Sequence, residues 1–570
     1  MSMTMAEATA ELIGPGKPFE VAEETIRGIT TKVWKNAPRS LPDILRLSEG
    51  HGDADFLVYE DEHTTFAEHF RQAAHLAHVL IDSYGVRKGD RVAIAMRNFP
   101  EWPVAFWATT ATGAVVVPLN AWWTGEELEY GLADSGSRIL FCDQEREQRL
   151  ASHLPNLDLG AVIVARSESP VAPGHERFED VLGDVPAGVD VPAVGLDPED
   201  DATIFYTSGT TGRPKGALGT HRNICTNLWS LSFNGVRGAL RARSRGDAAA
   251  SPPSGGRATT QNAYLLSVPF FHATGCHSVL VANTASGGKL VLMYKWDPER
   301  ALELIERERV TSFGGVPSMV WQVLDSPDFD KRDTSSIRGV GYGGAPAPPE
   351  LVKRIKQHFP TGSPSNGYGL TETSSVTTMN SGDDYVRKPD SVGPPVPVVD
   401  LKVVDEDGAD VPAGETGELW IKGPNVVKGY WNKPEETALT FTDGWLHTGD
   451  VARVDDEGFV YIVDRAKDMV IRGGENVYCA EVEATLFEHP AVADCAVIGV
   501  PHAVLGEEVG AVVQVRPGTT TTDHDLATHV RAHLAGFKVP THFWFRSEPL
   551  PRNPAGKVLK RELRQELIGS

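Results

Sequence analysis

Hydrophobic and polar positions alternate along the first part of the chain with two periods. From Thr65 to Asp82 the residues Phe66, His69, Ala73 and Leu76 recur at helical spacing behind a Thr65/Glu68 capping box, which predicts an amphipathic helix. Arg91–Met96 predicts a short strand, Trp102–Ala111 a helix, Ala114–Leu119 a strand, Glu126–Ser135 a helix and Arg138–Cys142 a strand. Strands alternating with helices imply an α/β fold with parallel sheets. From Pro397 the pattern changes. Asp400–Val404, Gly417–Lys422 and Gly458–Val463 are short strands separated by Asp-Gly and Glu-Gly turns, which predicts a β lobe. After Asp464 the alternation returns, with Ala480–Phe487, Val492–Val500, Gly510–Val515, Asp523–Ala535 and a strand near His542–Phe545, enough for a small separate domain. Val236–Arg257 shows no apolar periodicity and reads as a mobile surface insertion.

Composition narrows the class. At 41% hydrophobic and 23% charged residues the 570-residue chain is not disordered in bulk. Its 54 Lys and Arg stand against 77 Asp and Glu, a formal net charge of −23, which argues against nucleic acid or an anionic membrane as the main partner. Cys142, Cys225, Cys276, Cys479 and Cys495 form no CxxC pair, so zinc ribbons, redox dithiols and disulfide scaffolds are disfavoured. The start lacks the basic and apolar regions of a signal peptide, and a cytosolic location is expected. Pro103–Gly125 and Gln261–Gly288 carry no charge but hold prolines and polar residues, so each reads as buried helix–turn–strand rather than a membrane span.

Six motifs carry chemistry. Thr207-Ser208-Gly209-Thr210-Thr211-Gly212-Arg213-Pro214-Lys215-Gly216 follows a strand-like run and offers backbone N–H groups, hydroxyls and one ammonium to a polyphosphate. It is not a Walker A loop, because Gly216 stands where the Mg²⁺-binding Ser or Thr belongs. Gly339–Gly344 matches GxGxxG, but Pro346, Pro348 and Pro349 follow and no acid lies between Leu351 and Ser365. A strand ending beside a flat ligand fits better than a dinucleotide fingerprint. In Asn366–Thr373, Tyr368 can lie against a base and Glu372 can hold Mg²⁺, though an exposed Tyr–Gly turn also accounts for it. Asp450, in Trp445–Asp450, is either a ribose acceptor or a plain turn residue. Asp464–Asp468 and Arg472–Asn476 read as a hinge or a charged linker. Pro551–Lys557 presents one lysine on a loop. His69, His75 and His78 lack acidic partners at ligand spacing and fit a surface helix, while His272 is either buried or a gate.

Together and in this order, the motifs resemble the adenylate-forming superfamily: acyl-CoA synthetases, beetle luciferases and the adenylation domains of peptide synthetases. The resemblance runs from about Leu41 to Leu567. The runs PFFHATG, NGYGLTET, WLHTGD and GGENVYCAEVE are most similar to free-standing fatty-acyl or aryl CoA ligases. Where the family more often has Pro, this chain has Cys479, with little consequence expected because that residue only starts a helix.

The resemblance implies an N-terminal extension (1–40), a large domain of two α/β subdomains plus the β lobe (41–464), and a small α+β domain (465–570) that rotates about a hinge at Lys467. It implies ATP and Mg²⁺, a carboxylic acid (fatty or aryl) and CoA as co-substrate, with the protein a monomer or a homodimer. Thr207, Ser208, Gly209, Thr210, Thr211, Gly212 and Lys215 would cradle the β- and γ-phosphates. Gly344, Ala345 and Pro346 with Asn366, Gly367 and Tyr368 would sandwich adenine. Thr371 would touch the α-phosphate, Glu372 would bind Mg²⁺, and Asp450 and Arg465 would hold the ribose. Lys557 would bridge the acid and the α-phosphate in the first step, and Gly473 and Gly474 would line a CoA tunnel in the second. His272 would gate an acyl pocket near Phe271, Thr274, His277, Ser278, Gly314, Gly315, Tyr342 and Gly343, where Gly314 and Gly315 leave room for a chain or ring. An adenylating enzyme with a non-CoA acceptor is the alternative. A catalytically silent sensor would be expected to lack Glu372 or Lys557, and both are present.

Overall fold

The chain is described by a computed structural model over residues 3–207, 213–246, 261–345, 347–465, 468–473, 475–553 and 556–569. It is a mixed α/β structure with a large N-terminal and a small C-terminal domain. The large domain is built on two sheets. In the first, the strands Asp201–Thr207, Val115–Pro118, Arg91–Ala95, Ile139–Asp143, Ala161–Ala165 and Glu176–Arg177 lie side by side and parallel, with Lys215–Thr220 antiparallel at one edge. Their near-continuous Val, Ile, Leu and Ala runs are what a sheet covered on both faces requires. In the second, Ser363–Tyr368, Gly339–Gly343, Ser312–Gly315, Ala263–Leu266, Lys289–Leu292 and Asp55–Tyr59 run parallel between antiparallel edges Thr378–Ser381 and Glu62–Thr65.

One apolar core joins the two sheets through the helices Phe66–Asp82 and Glu101–Ala111. Thr65 and Glu68 cap the first reciprocally, as predicted. The second is buried on every side, and Trp102 stacks on Phe270 with ring centroids 5.0 Å apart. The β lobe follows as Asp400–Val404, Gly417–Lys422, Trp445–Val454, Phe441–Thr442 and Val460–Arg465, all antiparallel. In the small domain Glu475–Val477, Val470–Arg472, Gly506–Val515, Val492–His502 and His542–Arg546 form a sheet that carries the helices Cys479–Phe487, Asp523–His533 and Lys560–Ile568.

Three expectations need correction. Val236–Ser244 is not an insertion but the second half of a helix, His221–Ser244. Val236 and Leu240 pack at i, i+4 on the core, and Arg241 pairs with Asp384, a stripe hidden by the arginines around it. Residues 247–257 of that segment lie outside the described residues. Gln261–Gly288 runs strand first, Ala263–Leu266, then a π-helix, Thr274–Leu280, and a helix, Val281–Ser286. His69 is fully buried against Phe56, because it stands on the apolar stripe of its helix. The N-terminal segment is stitched into the large domain. The helix Met5–Ile13 packs on His221–Ser244, the hairpin Val21–Ile26/Ile29–Trp34 adds Trp34 to a cluster with Phe19 and Phe233, and the Trp34 indole donates to Ser230 at 3.0 Å. Among the described residues no helix is long and apolar enough to cross a membrane.

Trp34→Ala removes this cluster's centre and its hydrogen bond. The expected cost is about 3–5 kcal/mol, read as a lower urea midpoint for the large domain.

Candidate active site

The parallel strands Ser312–Gly315, Gly339–Gly343 and Ser363–Tyr368 end on one side of the second sheet, the side on which α/β folds place their ligand crevice. Glycine is needed along these strands for packing. A Cβ on Gly314 would lie 1.6 Å from the Gly341 carbonyl oxygen, and one on Gly343 would lie 2.4 Å from that of Gly367. Gly315, at φ +146°, would meet Met319 and Ser267. The reading that Gly314 and Gly315 leave room for an acyl group is therefore corrected: these glycines admit neighbouring protein atoms. The GxGxxG match is likewise a strand, and the next helix opens only at Pro349.

Next to these strand ends the Tyr368 hydroxyl donates to Asp450 Oδ2 at 2.6 Å. Arg465 Nε lies 3.0 Å from Oδ1 as an ion contact, and Oδ1, buried, accepts no hydrogen bond among the described residues. Asp450 is not on a turn. It lies inside the strand Trp445–Val454, beside a register shift, with its N–H on Thr448 Oγ1. Gly344 takes φ +73° at the end of its strand, Ala345 follows, and Asn366 and Gly367 are in the neighbouring strand. Pro346 lies outside the described residues, as do Ser208, Gly209, Thr210, Thr211 and Gly212. The segment they belong to joins the strand that ends at Thr207 to the one that begins at Lys215.

Thr371 and Glu372 stand in a single 3₁₀ turn, Thr371–Thr373. The chain then doubles back through Ser374 and Ser375, both at positive φ, and a Cβ on Gly369 would lie 1.4 Å from the Ser375 carbonyl oxygen. Glu372 Oε1 accepts from the Tyr430 hydroxyl at 2.8 Å. Lys215 Nζ lies 5.2 Å from the centre of the same ring. A carboxylate and a threonine hydroxyl are hard oxygen donors of the kind Mg²⁺ takes, and no cluster of three or more His, Cys, Asp or Glu that could cage a metal occurs among the described residues. That donor set suits an ion held jointly with substrate phosphates.

The wall between the helix His221–Ser244 and the π-helix is polar. Asn227 Nδ2 donates to the His277 carbonyl at 3.2 Å, its Oδ1 accepts from the Val376 N–H at 3.0 Å, and Ser278 donates to Ser375 at 2.7 Å. His277 Nδ1 meets the Ser374 carbonyl, its ring stands edge-on to Phe205, and Nε2 has no partner among the described residues. Phe271 is buried, His272 half-buried and Thr274 exposed. Tyr342 accepts from the Tyr385 hydroxyl at 2.8 Å. Burial pushes His272 and His277 down to about 4, so both are neutral at pH 7.

Among the described residues the small domain meets these strand ends at Gly556. Gly556, at φ +82°, is so close to Val316 that a Cβ would stand 2.4 Å from its side chain, and Val316 directly follows Gly315. Lys557 is next, half-buried, with its N–H on Asn553 Oδ1 at 2.9 Å. At the domain boundary Asp464, pushed up to about 6 by burial, accepts the N–H of Cys479. Gly473, at φ +61°, lies exposed in a hairpin turn. Lys467 and Gly474 lie outside the described residues. Sequence reasoning missed Asn227, Ser375 and Tyr430. Asn223 and Asn227 at i, i+4 in a helical run, and an aromatic pair directly after Gly429, were the available signals.

The family model for the AMP-binding enzyme matches residues 46–431, and that for the AMP-binding enzyme C-terminal domain matches 481–557. The chain belongs to this family of adenylate-forming acyl- and aryl-CoA ligases. It is 37% identical over 505 residues to a feruloyl-CoA synthase of Amycolatopsis sp, covering 88% of this chain and 93% of that one. An anthranilate CoA ligase solved with anthranoyl-AMP superposes with a TM-score of 0.82 at 28% identity, over 92% and 97% of the two chains. An amide bond synthetase from Marinactinospora thermotolerans gives 0.79 at 29% identity, over 92% and 99%.

His69, His221, His272 and His277 are all held neutral by burial, at about 3 for His69 and about 4 for the others, against 6.5 unfolded. Below pH 6.5 the unfolded chain binds protons that the folded one refuses, so stability falls as pH drops from 6.5 toward 4. Urea unfolding at pH 7.5, 6 and 5 should show this fall, and His277→Gln should make it shallower.

Proposed function

We propose that this protein is an ATP-dependent carboxylic acid–CoA ligase. The acid's carboxylate attacks the α-phosphorus of ATP, giving an acyl adenylate and pyrophosphate, and the CoA thiolate then displaces AMP to give the thioester. The observation that carries the proposal is the docking of the Gly556–Lys557 loop on Val316, which brings the small domain's lysine to the strand ends that also carry Tyr342, Gly343 and Tyr368. A carboxylate approaching a polyphosphate is repelled, and the positive charge that offsets this comes from Lys557 on one side and Lys215 on the other. In this reading Thr207 and the segment 208–212 cradle the β- and γ-phosphates, and Thr371 bonds the α-phosphate. Gly344–Pro346 and Asn366–Tyr368 enclose adenine. Asp450 Oδ1, a buried acceptor, takes a ribose hydroxyl with Arg465 beside it. Glu372 is the protein's ligand to Mg²⁺, whose contribution when bound is to neutralise phosphate charge.

For the second step the small domain, about 465–570, turns at Lys467. That withdraws Lys557 and brings Gly473 and Gly474 to a pantetheine passage gated by neutral His272. The acid is fatty or aryl. The hydroxyls of Ser278 and Ser375 suit a ring bearing an oxygen substituent, so hydroxylated aryl acids head the panel. The likeness to an amide bond synthetase over nearly its whole length supports a second reading, in which an amine takes the acyl group instead of CoA.

Pyrophosphate exchange across fatty, benzoic and cinnamic acids, repeated with CoA and with amines, tests both readings. Thioester formation with faster AMP release supports the ligase, amide formation alone supports the alternative, and no exchange with any acid overturns both. Lys557→Ala should cut exchange at least about 100-fold while sparing CoA-dependent breakdown of supplied adenylate. Lys467→Pro should impair the second step more than the first, as separate half-reaction assays would show.

A further inference from the structure

The segment from Val426 to Trp431 grips Glu372 at two points. The Val427 N–H donates to the Glu372 carbonyl at 3.0 Å, and the Tyr430 hydroxyl donates to its carboxylate at 2.8 Å. The same segment runs antiparallel to the strand Lys215–Thr220, which leaves the phosphate segment. Leu218 N–H meets the Gly429 carbonyl at 2.9 Å, Lys428 N–H meets that of Leu218 at 2.9 Å, Trp431 N–H meets that of Gly216 at 2.7 Å, and Ala217 pairs with Tyr430. Tyr430 itself has little freedom. Its N–H donates to Thr437 Oγ1 at 2.9 Å, its ring stands edge-on to Phe441 at 5.7 Å, and Gly429 before it is at φ +145°, with Thr437 closing the space a Cβ would need. Its ring meanwhile lies 5.2 Å from the ammonium of Lys215. A cation over an aromatic face is attracted to it.

We propose that Tyr430 is a positioning residue for metal-dependent nucleotide binding: its hydroxyl fixes Glu372 Oε1, so that Oε2 is presented to Mg²⁺, while its ring sets the height of Lys215 over the same phosphates. This rests on Glu372 as the Mg²⁺ ligand. A carboxylate on a free side chain would lose rotamer entropy on binding an ion, and one already hydrogen-bonded has lost it in folding. Because the hydroxyl on Glu372 and the ring under Lys215 belong to a single residue, the phosphate-binding lysine and the metal-binding glutamate keep a fixed separation.

Calorimetric titration of the full-length protein with an α,β-methylene analogue of ATP, with and without Mg²⁺, reads this directly. In Tyr430→Phe the ring stays under Lys215 and only the hydroxyl is lost. The gain in affinity from Mg²⁺ should shrink about tenfold, the size of one hydrogen bond to a charged group, with metal-free affinity unchanged. Tyr430→Ala should weaken metal-free binding as well, because the surface beneath Lys215 goes with it. Combining Tyr430→Phe with Glu372→Gln should add nothing to Glu372→Gln alone, since the tyrosine acts through the glutamate.

An unaltered Mg²⁺ gain in Tyr430→Phe, or equal loss of affinity with and without metal, overturns the proposal. If Glu372→Gln itself keeps the full Mg²⁺ gain, the assignment of Glu372 fails, and the role of Tyr430 fails with it. If Glu372→Gln loses the gain and Tyr430→Phe does not, only the tyrosine's role is lost.

Discussion

Two anions must meet inside a protein that is itself strongly anionic, and the rest of the architecture follows from that constraint. With a net charge of −23 the chain has no general positive field to offer a polyphosphate. Positive charge has to be delivered locally, and in the proposed reading its sources are far apart in sequence. Lys215 heads an edge strand of the first sheet, Arg465 ends the last strand of the β lobe, and Lys557 arrives from another domain. Each stands close to an aromatic ring, a carboxylate or a tight backbone loop rather than waving free in solvent. The two sheets and their shared core serve as the rigid frame that holds these charges in register.

The crowding of glycine around the crevice follows from the same need for rigidity. Strands that carry ligand-binding turns at their ends must approach closely, and Gly314, Gly343 and Gly369 each occupy a point where another residue's carbonyl oxygen leaves no space for a side chain. A glycine motif in the sequence is easily taken for room left for a ligand. Here much of it is backbone packed on backbone. The polar wall of Asn227, Ser278 and Ser375 arises differently, from side chains that satisfy one another across three elements.

Most of the fold could be read from the sequence because its parallel strands are short, apolar and well punctuated. Val115–Pro118, Ile139–Asp143 and three β-lobe strands, Asp400–Val404, Gly417–Lys422 and Val460–Arg465, lie within a residue or two of where the pattern puts them, while Trp445–Val454 was not foreseen. Periodicity failed where a buried face is polar or cationic. The helix His221–Ser244 buries Asn223, Asn227, Ser230, Asn234 and Arg237, a stripe that no hydrophobic pattern reveals. Asp450 looked like a turn residue because Thr448 and Gly449 precede it, yet a shift in strand register lets such a sequence continue as a strand. Tyr430 was invisible for a different reason: its partners lie 58 residues away in Glu372 and far upstream in Lys215, and only the folded chain brings them to one ring.

Cys479 was expected to do no more than start a helix, which it does. It also gives its N–H to the carboxylate of Asp464 across the boundary between the domains, with its thiol on the Asp468 carbonyl at 2.9 Å. A proline in its place has no N–H to give. A hydrogen bond to a charged acceptor contributes about 1.5–3 kcal/mol, which as an equilibrium constant is about ten- to a hundredfold. This N–H therefore ties the first helix of the small domain to the last strand of the β lobe, a link that a chain carrying proline there lacks.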